Sequence, residues 1–200
     1  MAAGPGRPTP AGTPAHDGRP GAFIARLDRW HAALLRLVGP NGRPVRKALL
    51  LAPALILLVD VPLILLSAAV GLPPSQEAGP VTERLVAALV VVAPVLETWL
   101  VIGLHHGASA LARAALRGAR YGGIAGLLGA MATGVAMAAP HAPHPLHRLI
   151  VCVFFVAQGL QYEAWRREYH FVFAYLALAA THCVNNSIAA GLLLLAHLLD

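Results

Sequence analysis

The chain has 200 residues, of which 58% are hydrophobic and only 12% charged, and its mean hydropathy is +0.66. That leaves too little polar surface to coat a water-soluble fold. The net charge of +6 would suit a nucleic-acid binder, but eight of the fifteen Lys and Arg precede Ala48, beside the first long apolar run. This is the pattern of positive-inside topology, and no nucleic-acid partner is expected.

Residues 1–22 are rich in Ala, Gly, Pro and Thr without hydrophobic periodicity, which predicts a disordered tail. No apolar stretch of signal-peptide length lies there, so the N-terminus is expected to be retained. Residues 23–47 follow as an amphipathic helix and basic linker. Phe23, Leu27, Trp30, Leu34 and Val38 recur at helical spacing, and Arg26, Arg29 and Arg36 stand ready for headgroups. Such a helix rests either on the lipid interface or on the membrane domain itself.

Residues 48–200 form the transmembrane domain. Crossing about 30 Å of hydrocarbon takes about 20 apolar residues, and Ala48–Gly71 and Leu85–Leu104 meet that length. Gly122–Ala139 is shorter but full of small residues suited to close helix packing. Leu149–Leu160 spans only with its interfacial neighbours, and Phe171–Leu199 is one tilted span or a span broken near Asn185. The expected fold is therefore an all-α polytopic transmembrane helical bundle of about five spans with an N-terminal amphipathic helix. Thirteen of the fifteen basic residues then fall on one side. That gives an N-terminus in the cytoplasm and a C-terminus outside, and the expected location is a bacterial inner (plasma) membrane.

Only two of the nine acidic residues, Asp60 and Glu97, lie inside long apolar runs. A carboxylate there costs several kcal/mol unless it is neutralised, paired or hydrated, so Glu97 in APVLETWLVIGL is a functional candidate. Pro94 should open the helix beside it. Asp60 reads as a protonated acid bonded to a neighbouring helix, with His182 as a possible partner. His182 and Asn186 in THCVNNSIAA are four apart and share a helix face. His141 closes the third span, near His144 and His147, and His105 and His106 read as solvated side chains at the inner interface. Cys152 and Cys183 sit in apolar stretches, and no disulfide framework is indicated.

Glu, His and His-xxx-Asn on successive helices, seen here as APVLE, MAAPH and HCVNN, resemble the CPBP (CAAX protease and bacteriocin-processing, Abi) family of intramembrane proteases. The resemblance covers about Leu85–Leu199. Thr98 stands where the family has a second Glu, Ile102 lies near its missing Arg, and Met137 replaces its Phe. The resemblance implies a metal-independent, glutamic-type endopeptidase acting on a membrane-associated peptide or protein, with no cofactor. Glu97 and His141 would activate water, while His182 and Asn186 would stabilise the oxyanion. The alternative is a catalytically inactive relative acting as a membrane binding or immunity protein. A metal-dependent hydrolase with Glu97, His141 and His182 as ligands ranks lower, because no dense ligand motif is present.

Depth poses a difficulty for this site. At about 1.5 Å per residue, Glu97 lies about 10 Å and His182 about 17 Å from the cytoplasmic ends of their spans, but His141 lies about 28 Å from its own.

Overall fold

A computed structural model describes residues 19–69, 88–116, 121–141 and 145–199. Every regular element among them is helical. Helix α1 is Arg19–Val38, and α2 is Pro44–Leu55. A π turn, Ile56–Asp60, leads from α2 into α3, Val61–Ala69. A second π turn, Ala88–Val92, leads into α4, Ala93–Ala115. Helices α5 (Gly122–Ala138), α6 (Pro145–Glu168) and α7 (Phe171–Leu199) complete the bundle.

Both π turns have the same local cause. Proline lacks an N–H, and its ring crowds the carbonyl four residues earlier. For Pro62 that carbonyl belongs to Leu58, and for Pro94 to Val90, each inside a π turn. The wider turn relieves the clash while the chain stays helical.

Helix α5 packs along α4 and α6, α2 lies on α7, and α1 crosses the ends of α5 and α6. The small residues of α5 permit this approach. At Gly134 an added Cβ would meet the Cys152 carbonyl and Val156 of α6. The core is aromatic and aliphatic, with Phe154, Phe155, Tyr162, Trp165, Val101 and Leu178 at its heart. Polar side chains within it are hydrogen-bonded across helices: Gln161 Nε2 donates to Thr181 Oγ1 (2.9 Å) and Gln158 Nε2 to the Leu178 carbonyl (3.4 Å).

Outside, the polarity is reversed. Leu57, Leu58, Leu96, Leu100, Val135 and Leu176 are exposed, while Thr98, Thr133 and Thr181 are fully buried. Helical stretches Val90–Ala115 and Phe171–Leu192 are long and apolar enough to cross a membrane, and Gly122–Ala138 is a shorter apolar helix.

Several expectations are revised by these helices. The first helix begins at Arg19 rather than Phe23, with Pro20 in its opening turn, where a missing N–H costs nothing. It docks through His31, Leu35 and Val38, leaving Phe23 and Trp30 on its outer face, and Trp165 Nε1 donates to the Val38 carbonyl at 3.2 Å. Helix α7 is unbroken past Asn185. His105 is buried rather than solvated, because Gly159 and Ala130 leave room for its ring. Residues 1–18, His144, Gly71 and the side chain of Asp60 lie outside the described residues. Cys152 and Cys183 are both free thiols.

Candidate functional site

Glu97 stands one turn into α4, just past the π turn that Pro94 imposes. Its Oε1 lies 3.4 Å from His141 Nε2 and its Oε2 lies 3.3 Å from His182 Nε2. Three helical elements thus supply one carboxylate and two imidazoles to a single point. The side chains of Glu97 and His141 are 23% and 31% exposed and that of His182 only 4%, so the site opens on the Glu97–His141 side.

Between Glu97 and His141 the depth difficulty has a simple resolution. Helix α4 does not end at Leu104 but continues to Ala115. Measured from that end, Glu97 stands about 27 Å along its helix, level with His141 at about 1.5 Å per residue. His141 itself caps the far end of α5, in the turn after Ala138, where its backbone N–H donates to the Ala138 carbonyl at 3.2 Å.

Ring orientation follows from a further contact. His141 Nδ1 donates to the Met137 carbonyl one turn back, so the proton of a neutral ring sits on Nδ1 and its lone pair on Nε2. That lone pair faces a carboxylate oxygen. Two acceptors at this separation repel unless a proton lies between them, so Glu97 and His141 hold one proton in common, as a carboxylic acid facing imidazole or a carboxylate facing imidazolium. His182 Nε2 faces the other oxygen, and its Nδ1 is buried without a partner among the described residues. With Nε2 as the protonated nitrogen, His182 donates toward Glu97 and only a lone pair is left unmatched.

Phe155 holds both rings. Its centroid is 5.4 Å from that of His182, edge-on at 84°, and 5.5 Å from that of His141. Phe154 packs on the other part of His182 at 5.1 Å. Sequence reasoning passed over both phenylalanines, since an apolar pair in an apolar helix carries no mark of its neighbours.

Asn186 lies one turn beyond His182 on α7, half-buried and on the same face. Thr98, next along α4, is fully buried, and its hydroxyl donates to the Pro94 carbonyl at 2.7 Å. Ile102 is part of the core. Trp99 turns to the other side of α4 and packs on Tyr175 and Phe171 at 5.0 and 5.5 Å. Tyr175 in turn donates to the Val95 carbonyl at 3.2 Å, tying α7 to the start of α4.

A second carboxylate and histidine group gathers nearer the other ends of α4 and α6. Glu163 Oε2 accepts from His31 Nε2 at 3.0 Å and lies 3.8 Å from His105 Nε2, while Oε1 accepts from Arg167 at 2.6 Å. Gly126 makes this possible, because a Cβ there would collide with Glu163 and press on His31. Among the described residues no group of three His, Cys, Asp or Glu has the geometry to hold a metal ion.

No protein-family model, curated protein or solved structure matches the chain.

Proposed function

We propose that the chain is a polytopic membrane protein of the CPBP/Abi kind, a glutamic-type intramembrane endopeptidase that hydrolyses a peptide bond of a membrane-associated peptide or protein. The observation that carries this reading is the convergence of Glu97, His141 and His182 on one point from α4, the end of α5 and α7. The membrane setting is supported by the exposed leucines outside a bundle that buries Thr98, Thr133 and Thr181, and by two helices of spanning length. Arg113, Arg166 and Arg167 gather round one cavity, and that end of the bundle is taken as cytoplasmic, with the C-terminus outside.

In this mechanism a water approaches from the open Glu97–His141 side. Glu97, sharing one proton with His141, removes a proton from the water as its oxygen attacks the peptide carbonyl. The carbonyl oxygen takes up the negative charge; as Glu97 is neutralised by the water's proton, the His182 Nε2–H turns from it to this oxygen, beside the Asn186 amide one turn on. The proton held by Glu97 and His141 passes to the departing amine, and the C–N bond breaks. Burial of His182 strengthens its donation, because little water competes for it.

Glu97→Gln tests the proposal. Glutamine nearly preserves size and hydrogen bonding but cannot take a proton from water. Cleavage of a membrane peptide library by the purified protein is expected to vanish in the variant, with thermal unfolding in detergent nearly unchanged. Undiminished cleavage would remove the catalytic assignment.

Thr98 supports a second reading, a non-catalytic binding or immunity protein on the same scaffold, since its hydroxyl is consumed by the Pro94 carbonyl where the family would place a second acid. A wild-type chain that cleaves nothing in the library would favour it.

A further inference from the structure

Where α4, α5 and α6 meet near the basic ends of α4 and α6, the surface folds inward to a half-open pocket of about 200 Å³. Arg113, Arg166 and Arg167 reach its wall, together with His106, Ser109 and Tyr162, and Glu163 is the one carboxylate facing it among the described residues. None of these groups belongs to the Glu97 site, which lies about 12 Å away along α4, judged from Glu97 to His105. We propose that this cavity is an anion site that takes a phosphate group, carried by a lipid headgroup or free in solution.

Charge argues first. Glu163 is already engaged by Arg167 at 2.6 Å and His31 at 3.0 Å, so its negative charge is turned inward and matched. Helices α4 and α6 both end close by, at Ala115 and Glu168, and each C-terminus brings about half a negative charge. Against three guanidinium groups this leaves the cavity about one positive charge in excess before either histidine is protonated.

Unused donors argue second. Arg113 makes no hydrogen bond or ion pair among the described residues, and Arg166 spends one N–H on the Tyr169 carbonyl at 2.9 Å and another on the Tyr162 hydroxyl, leaving part of its planar fork. Such forks match phosphate oxygens in pairs. The Ser109 hydroxyl is buried with no partner among the described residues, and the His106 ring is held by the Tyr162 hydroxyl at 2.7 Å. A cationic pocket between helices, at the end taken as cytoplasmic, is where a lipid phosphate would sit.

The test uses the full-length protein purified in mild detergent, as wild type and as the double variant Arg113→Gln/Arg166→Gln. Native mass spectrometry would count retained phosphatidylglycerol and phosphatidylcholine, and thermal unfolding would be followed with and without inorganic phosphate. Both arginines are exposed, so the variant should unfold like wild type without ligand; the single variants replace it if it does not. Retention of phosphatidylglycerol that falls at least fivefold in the variant, with phosphatidylcholine unaffected, supports a headgroup phosphate. A rise in unfolding temperature with inorganic phosphate, lost in the variant, supports free phosphate as the ligand. Equal behaviour of wild type and variants in both assays overturns the proposal.

Discussion

The Phe155 ring stands edge-on to His182, at 84° and 5.4 Å between centroids, and the same ring reaches His141 at 5.5 Å. One buried side chain therefore orients two imidazoles brought together from different helices. A ring shared in this way couples their positions, since displacing it frees both.

Phe155→Leu should accordingly weaken catalysis more than folding. Leucine keeps most of the buried apolar volume, at a cost of about 1 kcal/mol, but removes the ring against which both imidazoles are set. Cleavage is expected to fall by about tenfold, mainly in kcat, as for other small misplacements of catalytic groups. Steady-state kinetics beside thermal unfolding would check this, and a loss of KM alone would count against an orienting role.

Gly126→Ala should destabilise the contact between α1 and the bundle. A Cβ at this position runs into the Glu163 carboxylate and comes 3.0 Å from His31 Nε2. The expected loss is about 1–3 kcal/mol, as for other overpacked positions, read as a lower unfolding temperature and faster proteolysis of α1. Unchanged stability would mean that the carboxylate swings aside without loss.

Glu163 lies on the charged end of α6 beyond its apolar stretch and supplies a pH dependence. Burial opposes its ionisation, but the hydrogen bond and charge of His31, together with Arg167, outweigh burial and hold the carboxyl below its ordinary value. A group whose folded pKa is depressed stabilises the fold above its unfolded value and loses that contribution as pH falls through the folded one. The unfolding temperature of wild type should thus exceed that of Glu163→Gln near pH 6, and the gap should close as pH drops below about 4.5. A gap that widens on acidification would contradict the assignment.

Asp60→Asn should leave measurable cleavage, in contrast to Glu97→Gln. An amide can replace a protonated acid as a donor between helices, so a structural role survives the change. Loss of all cleavage with the fold intact would move Asp60 into the chemistry.

Much of this was legible in the sequence, for definite reasons. Ionisable groups are scarce inside apolar runs, so Glu97 and the pair His182 and Asn186 stood out, and the structure brings Glu97, His141 and His182 together. Small residues of α5 likewise announced close packing. What escaped notice had no local signature. Glu163 and His31 each sit among charged neighbours, in YEAWRRE and LDRWHAA, and look like solvated surface until the fold joins them. The end of α4 was misjudged because His105 and His106 resemble an interface, whereas the following GASALARAA carries the helix on to Ala115. The docking face of α1 stays open in the sequence because an amphipathic pattern marks an apolar stripe without saying whether bundle or surroundings will cover it.

The π turn before Pro62 also sets the azimuth of α2 relative to α3. One surplus residue rotates the preceding segment by about 100° relative to an uninterrupted α-helix, the angle of a single residue at 3.6 per turn. A reading of residues 48–69 as one regular wheel would therefore misplace the outward stripe of α2, which buries Ala48 and Ala52 and lies along α7. Deleting one residue within Ile56–Asp60 would leave Glu97 facing His141 and His182 but turn α2 against its seat on α7, where Thr181 Oγ1 donates to the Ala48 carbonyl at 3.0 Å, so insertions and deletions there act as a dial on helix orientation, separate from the chemistry.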